Sequence, residues 1–351
     1  MKTPAEDWQT LLRHSITALA DLPGHLAPSD RRGAEAVQRI YPMRINAYYA
    51  GLLHRADDAL GRQVVPDPRE LADVIYEDDP LAETEQMPVP GIIHRYPDRV
   101  IFLCSARCPV LCRFCMRKRL VGRDASLTPS QTAVALAYIR QHTDIREVIL
   151  SGGDPLLLTD EVLATHLRAI SAIAHVDQIR IHTRTPCALP GRITPELAGL
   201  LRRHHPLYIN IHVNHPDEVT EAMAAACARL ADAGLPLGSQ TVLLRGVNDR
   251  AATMESLWRR LLRIRVRPYY LHHPDLVRGT AHFRVPVETG LEILRALQGR
   301  VPGPALPRYM IDLPGGGGKV PLEPDYIVRR EKGMLRVINY QGKICWYPAG
   351  A

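Results

Sequence analysis

RVIFLCSARCPVLCRFCMRKR, residues 99 to 119, joins a β-branched apolar run to a loop of three cysteines spaced CxxxCxxC and then to a knot of cations. The run reads as a strand. Downstream the pattern recurs in EVILSGG, QIRIHT, LYINIHV, SQTVLL and RPYYLH, with helical stretches such as SLTPSQTAVALAYIRQH and TDEVLATHLRAISAIA between them. These stretches place Ser, Thr or Asp caps before an apolar period of 3.6. Six alternations of strand and helix predict βα units on a parallel sheet. In such a sheet the functional residues gather at the C-terminal strand ends. The chemistry-bearing residues fall there: Cys104 to Cys115, SGGD at 151 to 154, HTRTP at 182 to 186, and His212 to His215.

The 351 residues are 46% apolar, enough for a substantial core in one large domain or two moderate ones. The N-terminus mixes acids and bases without an apolar signal region, and no run of eighteen apolar residues follows. A cytoplasmic protein with no membrane partner is the expectation. Seven cysteines, an odd number, argue against a disulfide framework there and toward metal or redox chemistry. A net charge of +7 suits anionic ligands, which include nucleic acid, phosphorylated cofactors and carboxylates. Residues 1 to about 65 read as helices through WQTLLRHSITALADL and AVQRIYPMRINAYYAGLLHRA. The proline-rich and acidic stretch VVPDPRELADVIYEDDPLAETEQMPVPG reads as a surface connector.

Cys108, Cys112 and Cys115 supply three thiolates, whereas a closed structural zinc site takes four ligands. Three ligands leave a metal centre open, as on a four-iron cluster with one free iron. A zinc knuckle completed by a distant His or by Cys104 is the alternative, as are simple buried thiols. Cys104 itself lies inside the apolar strand and reads as core. A second landmark is DLPGGGGKVP, residues 312 to 321. The phosphate-loop pattern fails there, because it needs Gly at Leu313 and Ser or Thr at Val320. What remains is Lys319 on a backbone without Cβ atoms, able to approach a ligand closely as a Schiff-base lysine must. A flexible surface turn is the plainer reading.

The three cysteines after the first strand, with Phe114 before the last, resemble the signature of radical S-adenosylmethionine enzymes. That resemblance implies a partial (β/α)6 barrel of TIM type and a 4Fe-4S cluster that reduces S-adenosylmethionine to a 5′-deoxyadenosyl radical. Together with CRFCMRKRLVG, SGGDPLL, HPDEVTEA, LLRGVND and RPYYLHHPD, the run PGGGGK is similar to the lysine 2,3-aminomutase family from about residue 40 to residue 347. The resemblance implies an isomerase that interconverts L-lysine and β-lysine by moving the amino group between adjacent carbons on pyridoxal 5′-phosphate. It also implies a reducing electron donor and a homo-oligomer. On this basis residues 1 to 90 form a helical N-terminal region and connector, 91 to 290 the radical barrel, and 291 to 351 a C-terminal segment carrying the cofactor lysine.

Carried over by position, Lys319 is the lysine that holds pyridoxal phosphate. HRYPDR, 94 to 99, matches the family's phosphate-binding stretch and assigns Arg95, Tyr96 and Arg99 to that group. Cations with a hydroxyl suit a phosphate, although a solvated charged turn reads the same way. SGGD resembles the glycine motif that meets the methionine amino group, which points to Gly152, Gly153 and Asp154. Arg184, His212 and Gln240 match positions lining the same cofactor; taken alone, His212 reads as a core histidine, and its spacing to His215 is weak evidence for a metal. Arg117 matches the arginine that pairs with the substrate carboxylate, and Asp275 and Asp312 match the acids that take a distant ammonium.

Three departures stand out. CWYPAGA ends the sequence where some relatives continue into a zinc-binding tail. His272 stands where enzymes acting on free lysine have tyrosine, as in the branch that acts on elongation factor P. Ser239 replaces an asparagine. The alternatives are therefore a lysine residue of elongation factor P, or another free amino acid such as arginine. From a different class, an iron-sulfur or zinc protein could bind nucleic acid through RKRLVGR, but an aromatic content of 5% speaks against it and no nucleic acid is expected.

Overall fold

The computed structural model describes residues 7–72, 76–123 and 126–349. Nine strands form one sheet: β1 (Ile92–Tyr96), β2 (Arg99–Ser105), β3 (Glu147–Gly152), β4 (Gln178–Thr183), β5 (Leu207–His212), β6 (Leu237–Val242), β7 (Arg267–His272), β8 (Arg308–Leu313) and β9 (Gly318–Leu322). They pair strictly in chain order, with β2 to β8 parallel and the edge strands β1 and β9 antiparallel to their neighbours. The six strands expected from the sequence are β2 to β7, and the expected partial barrel is what they form. A hairpin partner on one side and a hairpin on the other extend it.

Parallel strands covered on both faces read as near-continuous apolar runs, and β3, EVILSG, is buried at every position but the last. Between strands the chain returns through helices Pro129–Gln141, Asp160–Ser171, Glu221–Asp232 and Ala251–Arg263, each with an apolar face on the sheet. Their starts are encoded locally. The Thr128 hydroxyl accepts from the Gln131 N–H, the Gln131 side chain accepts from the Thr128 N–H, and Pro129 presets the first turn.

The N-terminal region is less helical than its periodicity predicts. Helix Arg31–Ile40 stops because Pro42 pushes Tyr41 out of the helical region, to φ −117 and ψ 111. Helix Trp8–Arg13 ends before Ile16, which bridges Ile45, and Ile45 in turn bridges Val110 in the cysteine loop. At the other end, residue 290 lies within helix Val287–Leu297, and the chain returns from it to β8 in the main sheet. Only then do β10 (Ile327–Glu331), β11 (Met334–Ile338) and β12 (Ile344–Pro348) form a separate antiparallel sheet. No described helix is long and apolar enough to cross a membrane.

Candidate active site at the barrel mouth

The cysteine loop leaves the end of β2 and is pinned on two sides. The Leu111 N–H donates to Arg44 O at 2.9 Å, and Asn46 Nδ2 donates to Pro109 O at 3.0 Å. On the other side SGGD presses against it: Gly153 N–H donates to Ser105 O at 2.6 Å and Asp154 N–H to Arg107 O at 2.7 Å. Here the glycines are required by space. A Cβ on Gly152, whose φ is +115, would lie 2.4 Å from Ser105 O, and one on Gly153 would lie 2.4 Å from Arg107 O. The buried carboxylate of Asp154, the last residue of the motif, is occupied by its own chain, accepting from Leu156 N–H, Thr183 Oγ1, Arg184 N–H and Thr185 N–H at 2.7–3.1 Å. It ties the end of β4 to the glycine motif, and burial raises its pKa.

Arg184, at the end of β4, is a hub that the motif did not reveal. Nη1 reaches Cys112 Sγ at 2.6 Å, and Nη2 donates to Glu218 Oε1 at 2.6 Å, Gln63 Oε1 at 2.8 Å and Tyr49 Oη at 3.0 Å. Glu218 is fully buried and also accepts the backbone N–H groups of Asn214 and His215. Arg184 Nε and His212 Nε2 are buried polar atoms with no partner in the protein. Burial, reinforced by Arg184, lowers the His212 pKa to about 4, so the ring is neutral at pH 7. Gln240 is the register partner of His212 on β6. His215 instead caps the turn Pro216–Glu218 through Nδ1.

Lys319 lies on β9, directly opposite Asp312 on β8. Its Nζ donates to Asp312, whose side chain is only 5% exposed. The Lys319 N–H donates to Tyr96 Oη at 2.8 Å, and Arg99 stacks over the Tyr96 ring at 4.4 Å. Arg95 is held by Gln86 Oε1 at 2.7 Å and Leu81 O at 2.9 Å, with Asp312 at 3.6 Å. The HRYPDR residues and the glycine-run lysine therefore meet. Asp275, beyond the end of β7, is near enough to Asp312 to feel its charge, and burial plus that neighbour raise its pKa to about 7.

The cations after the cysteines do not share one role. Lys118 and Arg113 both pair with Glu70 at 2.7 Å, all three being buried. Arg119 pairs with Asp79 at 2.8 Å. Arg117 forks onto Glu83 at 2.9 and 2.7 Å and donates to Ser151 Oγ at 3.1 Å. Glu83 comes from the connector that the sequence read as surface, yet it is 1% exposed.

The residues fit the groups expected of them. Cys108, Cys112 and Cys115 are free and partly exposed on one loop. Among the described residues no three His, Cys, Asp or Glu side chains surround a point where one ion would sit. A cluster, by contrast, takes one thiolate at each of several separate irons. Unpartnered Arg184 Nε and His212 Nε2 beside the cysteines offer polar contacts to a ligand there. Lys319, Tyr96 and Arg99 offer an amine, a hydroxyl and a cation to pyridoxal phosphate.

Comparison with known proteins agrees. Residues 102–257 match the Radical SAM superfamily, and residues 294–350 match a family described as Lysine-2,3-aminomutase. The L-lysine 2,3-aminomutase of Clostridium subterminale is 42% identical over 347 residues, covering 97% of this chain and 83% of the relative. That of Methanococcus maripaludis is 44% identical, covering 97% and 81%. The glutamate 2,3-aminomutase of Clostridioides difficile is 38% identical, covering 97% and 82%. Fold, cysteine loop and glycine motif define a radical S-adenosylmethionine enzyme. Within that class the chain belongs to the lysine 2,3-aminomutase family, and it is an aminomutase, an isomerase. Its cofactors are a 4Fe-4S cluster, S-adenosylmethionine and pyridoxal 5′-phosphate.

Proposed function

We propose that the enzyme interconverts L-lysine and β-lysine. One observation carries the choice of substrate: an alkylammonium, that of Lys319, already sits on buried Asp312, with Asp275 beside it. A second lysine side chain presents the same group, and two acids suit it where a glutamate side chain would be repelled. When bound, the cluster and S-adenosylmethionine would supply radical chemistry for hydrogen abstraction, and pyridoxal phosphate would supply the means of moving nitrogen between adjacent carbons.

The chain's own residues bind and orient. Cys108, Cys112 and Cys115 hold the cluster; Gly152 and Gly153 let the backbone of the glycine motif approach the loop, and Asp154 fixes that motif. Arg184, His212 and Gln240 line the S-adenosylmethionine site. Lys319 anchors pyridoxal phosphate, with Arg99, Tyr96 and Arg95 toward its phosphate. Arg117 meets the substrate carboxylate, and Asp275 and Asp312 its distant ammonium, so three charges fix both ends of the substrate. Cytoplasmic location, a separate reducing electron donor, a homo-oligomer and a boundary near residue 90 belong to the same reading.

The test is competition. Lysine should exclude glutamate and norleucine, which lacks the ammonium, by at least about tenfold in kcat/KM, and Asp275→Asn should erase most of that preference. Equal use of norleucine would overturn the assignment of the two acids. Turnover of a lysine residue in elongation factor P, with none of free lysine, would move the reading to the protein substrate.

A further inference from the structure

We infer that Glu83 is the positioning residue for Arg117, holding its guanidinium so that one edge faces the α-carboxylate of a free amino acid. This rests on the proposed pairing of Arg117 with that carboxylate. A guanidinium has five N–H donors. Glu83 takes one from Nε and one from Nη2, and Ser151 takes one from Nη1. One N–H remains on each terminal nitrogen, the pair that a planar carboxylate accepts.

Glu83 is itself fixed. Its N–H donates to Asp79 Oδ1 at 3.0 Å, and Asp79 also accepts the Thr84 N–H at 2.9 Å and hydroxyl at 2.7 Å while pairing with Arg119. The connector thereby straps the mouth: Pro80 O accepts from Gly315 N–H at 2.8 Å, and Gln86 holds Arg95. The free edge of the Arg117 guanidinium presents its charge to whatever group meets it there. A lysine within a polypeptide brings a neutral amide to this place, so the arrangement selects the free amino acid.

Removing the Glu83 charge leaves the attraction between Arg117 and a carboxylate intact and frees the guanidinium to meet it in another pose. The measurement is kcat and KM for lysine with the reconstituted enzyme, alongside its iron and pyridoxal phosphate content. For Glu83→Gln the expected result is a fall in kcat on the order of tenfold or more with KM unchanged or lower, as misplacement produces. Glu83→Asp, which keeps the charge one methylene short, should recover part of it and carries the test if the glutamine variant does not fold. An unchanged kcat would overturn the inference, and so would a fall that tracks lost iron or pyridoxal phosphate. Arg117→Gln separates the two readings: if it leaves KM for lysine unchanged, Arg117 does not meet the carboxylate, whatever Glu83 does.

Discussion

Asp312 and Lys319 are cross-strand partners in the β8–β9 hairpin, and the lysine ammonium rests on the aspartate carboxylate. On the proposed reading the hairpin brings two functions to one register position: the amine for pyridoxal phosphate and the acid for the substrate's far end. When the amine is engaged by the cofactor, Asp312 can take the substrate ammonium instead. Asp312→Ala should weaken lysine binding by about 1.5–3 kcal/mol, the usual worth of a hydrogen bond to a charged group, while pyridoxal phosphate stays bound through Lys319. Spectral titration of the cofactor with lysine measures both, and a loss of cofactor without a loss of lysine affinity would reverse the roles.

Asp275 predicts a pH limb. Its pKa stands at about 7 because burial and Asp312 disfavour its charge. Below that pH it is neutral and loses its attraction for an ammonium, so kcat/KM for lysine falls as pH drops through about 7. A bound ammonium favours the carboxylate, so the matching limb in kcat lies at lower pH. Because the folded-state value is raised, the ionised acid costs stability above its ordinary range, a cost fully present once pH exceeds about 7. Asp275→Asn should therefore flatten the limb and raise Tm at alkaline pH. A limb that survives the substitution would belong to another group.

Gly153 gives a test of the cluster loop that leaves its three cysteines in place. A methyl there meets Arg107 O at 2.4 Å and Ala106 C at 2.8 Å, both backbone, so the loop must move. Gly153→Ala should lower iron incorporation and the cluster absorbance while far-UV circular dichroism stays near that of the parent. Normal iron content would show that the glycine serves something other than the loop's position.

How far the sequence reached depended on whether a feature was local. Strands β2 to β7 were legible because each is a short apolar run between helix signals. β1 and β8 are harder to read: IIHRY and RYMIDL mix charge into strands at the edge of the sheet and next to it, and both draw notice only for their functional residues. The cysteines and Lys319 stand in compact motifs that can be read locally. Glu83 was hidden among Glu77, Asp78, Asp79 and Glu85 in an acidic stretch, and what singles it out is a partner 34 residues away. Glu218 likewise became visible only when folding placed it on Arg184. Asp154 was found for its motif, but only the fold shows that its oxygens are spent on its own chain.

The most direct measurement is product analysis after anaerobic incubation of the reconstituted enzyme with L-lysine, S-adenosylmethionine, pyridoxal phosphate and a reductant. β-Lysine should form, and should be lost in Cys112→Ala and Lys319→Ala. Cleavage of S-adenosylmethionine without β-lysine, in a protein with full iron and pyridoxal phosphate, would leave the radical site standing and contradict lysine as the substrate.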